Sequence, residues 1–456
     1  MKLSLFSTLQ GYRKEYLLKD IFSGIIIAAV SIPISMGYAQ ISGIPAVYGL
    51  YGSVLPILLF ALFSTSRQFI FGVDAAPAAI VGGALSTLGI AAESEAAMDY
   101  VPAIALFAGL WLFVFFLLHA DKIVDFISTP VMGGFISGIA VTIILMQIPK
   151  LMGSPAGSGE LLELAEHIFA AAKNISWLSL CMGLGALILI RIFKKLAPKF
   201  PMAIAIMALG VLSTVVFHVD EKGVVLLQSV ERGLPSLVIP DFGNVDLTQA
   251  AGRGLMVAVV IMAETLLAEN TFAFRNDYKL NDRQEILACA AGNIAAAAVG
   301  CCPVNGSISR TSLNEQYGGK SQAVSITAGI TMALILLFGT GFIGYLPVPV
   351  LTAIVISALM DVVETHLAVR LFKVSRTEFY IFMAAGFSVL CLGTIYGVII
   401  GILLSFVAVI LKATNPPRSF RGMIPGRDVY FDLSRNRYAY PIKGCLLYTS
   451  DAADEL

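Results

Sequence analysis

Asn305, Gly306, Ser307, Ser309 and Arg310 are the residues of this chain whose types and spacing are best suited to chemistry. They break an apolar run after Pro303 and lead into a short helical pattern. A helix N-terminus exposes unpaired N–H groups and a partial positive charge, and small side chains let an anion approach that backbone closely. Arg310 adds a full positive charge, and an arginine at membrane depth costs roughly 2.5–3.5 kcal/mol, so it faces a partner or a wet cavity. The same residues also suit a bland role, in which Ser309 and Arg310 cap and pin two packed helices. A second break, Gly72-Val73-Asp74-Ala75-Ala76-Pro77, lies in the first half of the chain. The first apolar span begins near Ile21 and a later one near Gly252, so Asp74 and Asn305 each lie 53 residues into their half. Paired interruptions at corresponding positions point to the binding site of a transporter built from inverted repeats.

Two carboxylates complicate an anion site. Asp74 stands where it caps the first short helix, yet it repels an anion unless it is paired with Arg310, protonated or bound to a coupling cation. Glu264 lies mid-span in the apolar stretch 257–267 beside Thr265, where acidic side chains mark ion pathways, proton relays or structural pairs. A cation at Glu264 would offset the cost of bringing an anion into the membrane. Glu269, just over one turn further on, reads as interfacial or structural. In the first span, Pro33-Ile34-Ser35-Met36-Gly37-Tyr38 joins a proline to small residues, with Tyr38 as either a cavity wall or an interfacial anchor. Gly133, Gly134, Ser137 and Gly138 read as close helix packing. His119, His167, His218 and His366 sit at span ends or in loops, and the six cysteines show no disulfide or zinc spacing. No metal-ligand set and no nucleophile–base set appears, so a membrane enzyme is disfavoured.

The elements that position these residues are membrane helices. The 456 residues are 57% hydrophobic and 13% charged, against about 25% charged in a soluble domain. Apolar stretches of about 20 residues recur, the length that spans a bilayer. The first half reads as segments 21–40, 46–65, 75–88, 101–119, 124–148, 175–193 and 201–217. The second reads as 254–274, 285–299, 306–314, 323–345, 348–363, 378–392 and 395–412. The fold class is therefore an all-α polytopic membrane protein with about fourteen segments, of which 3 and 10 are half-helices. With the N-terminus in the cytoplasm, this threading sends most Lys and Arg residues, including Arg67, Lys122, Lys194, Lys195, Lys199, Arg275, Lys279 and Arg370, to inner loops. The lipid bilayer is thus one partner. A formal net charge of zero argues against nucleic acid as another.

Residues 218–247 form the longest connection and separate the two halves. Beyond Lys412, Asn415-Pro416-Pro417-Arg418 is a polar linker, and 429–447 alternates as one or two strands. So few strands do not make an independent domain, and the chain reads as stopping just inside a cytoplasmic one. Residues 449–456 do not continue the pattern and read as an extraneous tail. No removable signal peptide is evident at the N-terminus.

The motifs resemble one known family. Ser31-Ile32-Pro33-Ile34-Ser35-Met36-Gly37-Tyr38-Ala39, Gly43-Ile44-Pro45-Ala46-Val47-Tyr48-Gly49-Leu50-Tyr51, Thr65-Ser66-Arg67 and Gly72-Val73-Asp74-Ala75-Ala76 resemble the SulP anion permeases. Asn276-Asp277-Tyr278-Lys279, Gln284-Glu285, Gly292-Asn293 and Ser309-Arg310-Thr311 continue the match, which covers about residues 15–445. The resemblance implies a 7+7 inverted repeat, with repeats at about 15–217 and 250–412 in a transport domain 1–414. It also implies core and gate domains moving as an elevator, a homodimer, and a C-terminal STAS domain of which 415–448 holds only the linker and first strands. It implies an anion pocket between segments 3 and 10 lined by segment 1, which maps to Tyr38, Asp74, Ala75, Ser307, Ile308, Ser309 and Arg310. Cation coupling in segment 8 maps to Glu264, with Asp74 as a further candidate. Two departures stand out: Ile34 replaces a glutamine common in the family, and Asp74 stands where some members are neutral.

The expected function is a secondary active transporter of a small anion in a bacterial inner membrane, multi-pass, with both termini cytoplasmic. Sulfate is the default substrate, with bicarbonate and C4-dicarboxylates close behind. Na+ or H+ is the coupling ion, and no other cofactor is called for. The rivals are an anion exchanger, channel or voltage-responsive motor without coupling, and a nucleobase transporter of the same fold, which Arg310 disfavours.

Overall fold

The computed structural model describes residues 5–122, 129–157, 161–197, 200–230, 232–238, 242–243, 245–414, 421–423, 430–432 and 440–441. The chain divides into two compact units, Met1–Leu404 and Ser405–Leu456. The first half runs α1 (Leu17–Ile41), α2 (Ala46–Tyr51), α3 (Leu55–Phe63), β1 (Phe71–Val73), α4 (Ala75–Thr87), α5 (Glu95–Leu118), α6 (Thr129–Leu151), α7 (Leu161–Lys173), α8 (Trp177–Leu196) and α9 (Met202–Phe217). The second runs α10 (Leu247–Arg275), α11 (Asp282–Ala298), β2 (Val304–Gly306), α12 (Ile308–Tyr317), α13 (Ala323–Phe338), α14 (Val348–Val362), α15 (Thr365–Val374) and α16 (Arg376–Thr414).

The two halves repeat one order of elements. Each has a long helix, a second span, a three-residue strand leading into a short helix, two more helices, a short amphipathic helix and two final spans. In the second half those final spans are joined as α16, which breaks at Gly393, a residue at φ 81°. Among the described residues, each expected segment contains helix. Seven helical stretches among the described residues are long and apolar enough to cross a membrane. The amphipathic helices α7 and α15 lie where the sequence analysis placed loops. Each is short and charged, with Glu163, Glu166 and Lys173 in one and Arg370 and Lys373 in the other. Neither carries the sustained apolar run that marks a span, and such helices suit a membrane interface. Their matching positions strengthen the repeat.

Helix starts follow ordinary capping chemistry. Asp246 accepts hydrogen bonds from the N–H groups of Thr248 (2.9 Å) and Gln249 (3.1 Å) at the head of α10, and Ser94 accepts from Ala97 (3.2 Å) at the head of α5. The glycine cluster on α6 packs as expected. A methyl group at Gly138 would lie 2.7 Å from the carbonyl oxygen of Gly386 on α16, so only glycine permits this approach.

Irregular backbone inside a membrane protein is tolerated only where its polar groups find partners. Between α3 and β1, side chains of the second half supply them. Gln322 Nε2 donates to the carbonyls of Ser66 (2.8 Å) and Phe69 (2.9 Å), and Asn314 Nδ2 donates to that of Gln68 (2.7 Å). Before α12, Asn293 does the same work, donating to the Val304 carbonyl (3.0 Å) and accepting from the Val304 N–H (2.9 Å). One glutamine and two asparagines therefore hold open the breaks that the glycines and prolines begin.

In the second unit, β3 (Arg421–Met423) pairs antiparallel with β4 (Tyr430–Asp432) and β5 (Tyr440–Pro441) in the order β4-β3-β5. Within 429–447 the described strands are β4 and β5, as expected there, and β3 precedes them in the stretch that follows the linker. Residues 449–456 lie outside the described residues, as does most of 415–448.

Candidate functional site

β1 and β2 lie side by side as an antiparallel pair, with Phe71 opposite Gly306, Gly72 opposite Asn305 and Val73 opposite Val304. The pairing joins the two breaks that sequence spacing singled out and aims the N-termini of α4 and α12 at one place. The Ser307 N–H extends the ladder to the Ile70 carbonyl (2.8 Å). Thr311 Oγ1 accepts from the Ile70 N–H (3.0 Å) and donates to the Ser307 carbonyl (2.6 Å). Phe71 stacks on Phe60 with ring centroids 4.4 Å apart, anchoring β1 to α3.

Three charged side chains converge on this pair. Arg310 is 1% exposed. Its Nη2 donates to the Val73 carbonyl (2.8 Å) and lies 4.0 Å from Asp74 Oδ1, while Nη1 reaches Ser31 Oγ on α1 (3.5 Å). Its Nε is buried with no hydrogen-bond partner among the described residues. Asp74, at the N-cap position of α4, reaches across to the other half and accepts from Ser307 Oγ (3.3 Å), which is itself 3.3 Å from Ser309 Oγ. Glu264 is 5% exposed and accepts a 2.6 Å bond from Asn305 Nδ2. Asn305 Oδ1 in turn accepts from Thr265 Oγ1 (2.5 Å). Buried charges carry a desolvation cost of several kcal/mol each, which is why every one of them is tied to a partner or a donor. Counted as ionised groups, the cluster holds one positive and two negative charges.

A cavity of about 20 Å³ lies between the helix N-termini, walled by Asp74, Ala75, Glu264, Ser307, Ile308 and Ser309, with Ile136 and Val362 among the apolar side chains. One water needs about 10–15 Å³ on this measure, so this conformation has no room for a polyatomic anion. A wider cavity of about 370 Å³ shares Ile136, Ile308, Ser309 and Val362 with it and opens past Lys194, Gln316, Asp361 and Glu364. Lys194 and Arg191 both pair with Asp361 at that mouth, the arginine at 2.8 Å. Access therefore runs from the end of the molecule that holds the start of α1.

The family model for the sulfate permeases matches residues 17–385. The chain belongs to the sulfate permease family. It is a multi-pass membrane transporter and not an enzyme. A probable sulfate transporter of Mycobacterium tuberculosis (strain H37Rv) is 26% identical over 441 residues, which are 97% of this chain and 79% of that protein. The chloroplastic sulfate transporter 4.1 of Arabidopsis thaliana is 30% identical over 458 residues, 98% of this chain and 66% of that protein. In fold, the chain is similar to murine Solute Carrier 26 family member A9, an anion transporter solved in the inward-facing state. The TM-score is 0.81 at 19% identity, over 96% of this chain and 75% of that one. The transmembrane domain of a cyanobacterial bicarbonate transporter matches with TM-score 0.74 at 20% identity, over 87% of this chain and 98% of that one. The 7+7 arrangement seen in the order of elements is the fold of these permease relatives.

Of the residues singled out in the permease sequence, Asp74, Ala75, Glu264, Ser307, Ile308 and Ser309 line the small cavity. Arg310 and Tyr38 are buried behind that lining. Ile34 lines the wider cavity, leaving an apolar wall there. Asn305, which fastens Glu264 to β2, reads in the sequence as part of the helix N-terminus, and Thr265, which bonds Asn305, only as the neighbour of Glu264. The signal available was their polarity at membrane depth. Gly72 also has a specific role. A methyl group there would lie 2.9 Å from Arg310 Nη1. Gly72→Ala is expected to displace the guanidinium from the Val73 carbonyl, at an overpacking cost of about 1–3 kcal/mol. Anion uptake should fall sharply while the amount of folded protein in the membrane, read by size-exclusion profile, stays close to wild type.

Proposed function

We propose that this protein is a cation-coupled secondary transporter of a small anion, with sulfate as its first candidate substrate. The supporting observation is the convergence of two half-helix N-termini with Arg310, Asp74 and Glu264 around one cavity. The backbone N–H groups at the starts of α4 and α12 favour an anion. Arg310 offsets Asp74, and one carboxylate charge remains. An anion entering beside that charge is repelled until a proton or Na+ neutralises it, so the two enter together. The 20 Å³ cavity means the anion binds only after the α4 and α12 N-termini draw apart from α6 and α14, whose Ile136 and Val362 close the lining. That separation is the relative motion of core and gate that an elevator requires. The wider cavity gives this closed site an entrance at the N-terminal end of α1, and the charge bias of the loops supports a cytoplasmic location for that end. Names of relatives in the same family support sulfate, and the family resemblance supports a homodimer as the working assembly.

The test is uptake of labelled sulfate, bicarbonate and fumarate into proteoliposomes under imposed Na+ and proton gradients. Accumulation of one of these anions above its outside concentration, driven by one of the two gradients, is the expected result. Equal exchange of anions with no response to either gradient would support an uncoupled exchanger instead.

A further inference from the structure

α10 and α11 carry a second pair of acids that the anion site does not use. Glu269 follows Thr265 by four residues on α10, and Glu285 precedes Cys289 by four on α11, so each pair shares one helix face. The two faces meet. Asn270 Nδ2 on α10 donates to Asp282 Oδ1 on α11 (3.1 Å), and beside that bond Glu269 and Glu285, both 0% exposed, face each other. Their surroundings differ. Glu285 Oε2 accepts from Ser64 Oγ (2.8 Å), and its Oε1 accepts from the Thr65 N–H (2.5 Å) and from Thr65 Oγ1. Neither carboxyl oxygen of Glu269 receives a hydrogen bond from any described donor. Among the described residues no lysine or arginine forms an ion pair with either acid. The groups facing Glu269 are Glu285, Asp282 and Cys289 from α11 and Tyr278 from the 276–281 connection, and none is a cation.

Two carboxylates in contact inside a protein cannot both stay ionised. Three donors suit Glu285 to the ionised form, since hydrogen bonds to a carboxylate favour its charge. Glu269, with no donor, satisfies its buried oxygens best as an acid that donates its O–H to Glu285. We propose that Glu269 and Glu285 form a second, buried proton-binding site, separate from the anion cluster, in which one proton is held between the two carboxyl groups. Release of that proton to water leaves two adjacent carboxylates between α10 and α11. Their repulsion loosens the packing of α10 on α11, whose Glu285 holds the Ser64–Thr65 segment that leads into β1. The site lies about two turns inward from the 276–281 connection along α10 and about one along α11, so it senses pH on that side of the protein.

Because the folded protein holds one more proton than the unfolded chain, its stability falls as pH rises. Infrared difference spectra of the purified protein in detergent should show a protonated-carboxyl band at neutral pH that disappears in Glu269→Gln and persists in Glu264→Gln. The glutamine keeps an N–H donor for Glu285 and so preserves the fold. In thermal unfolding between about pH 4.3, where an unfolded glutamic acid ionises, and the pH at which the folded pair releases its proton, the wild-type unfolding constant should rise about tenfold per pH unit more steeply than that of Glu269→Gln, the slope of one proton. A wild-type protein with no protonated-carboxyl absorption at neutral pH overturns the proposal without any variant. So does a folded Glu269→Gln protein that retains the band and the wild-type pH slope. Should Glu269→Gln fail to fold, Glu269→Met, neutral and of similar size, is read by the same two criteria.

Discussion

Glu264→Gln is expected to abolish accumulation of the anion against its gradient while downhill exchange of the same anion partly survives. The side chain is buried beside the cavity, and its hydrogen bond from Asn305 persists in the variant because a glutamine carbonyl accepts from the same Nδ2. The fold and the helix N-termini are therefore kept. What disappears is the negative charge whose neutralisation by a proton or Na+ must accompany anion entry. With that charge gone, the site gains nothing from the cation gradient, since a ligand shifts an equilibrium only by its differential interaction with the states involved. Counterflow and gradient-driven uptake in the same proteoliposomes separate the two activities. Accumulation by Glu264→Gln equal to wild type would make Glu264 a structural residue and move coupling to Asp74.

Arg310→Ala should produce the largest combined loss of folding and transport. The guanidinium ties α12 to the Val73 carbonyl and offsets Asp74. Removing one partner of a buried pair leaves the other uncompensated, at about 3–5 kcal/mol. The 4.0 Å separation and the 13% exposure of the Asp74 side chain place this pair toward the lower end. Less folded protein and loss of anion uptake are expected together. The double variant Asp74→Asn with Arg310→Ala separates them. It removes the orphaned carboxylate and should recover much of the folded protein, yet uptake should stay low because the full positive charge at the site is gone. Wild-type uptake by Arg310→Ala would reduce the arginine to a packing residue.

How much of this was legible in the sequence depends on the range of the signal. The spans were readable because a bilayer demands about 20 consecutive apolar residues. The half-helices were readable because Pro, Gly and hydroxyl residues have no other reason to interrupt such runs twice, 53 residues into each half. The amphipathic helices α7 and α15 were missed because their apolar positions recur on one face and never as a run. The β1–β2 pairing joins residues more than 230 positions apart through three residues per strand, which no local pattern encodes. Arg310 could be placed at depth, but the direction of its long side chain could not. It points into the strand pair and toward Asp74, the pinning and pairing roles that the sequence left open beside an anion contact. Glu269 was read as interfacial or structural because it lies nearer the end of its helix. It is fully buried, because α11 packs on that face with Glu285 and Asp282, and coverage of this kind is a tertiary property.

The central claim is that the anion site carries one more negative than positive charge until a cation joins it. Equilibrium binding of labelled sulfate to the purified protein, measured across pH and Na+ concentration, tests that claim most directly. If one cation is taken up with each anion, the sulfate Kd should fall by about tenfold per unit decrease in pH, or per tenfold rise in Na+, over the range where that cation binds. Asp74→Asn combined with Glu264→Gln should flatten the dependence. A wild-type sulfate affinity that is unchanged by both pH and Na+ would contradict the account.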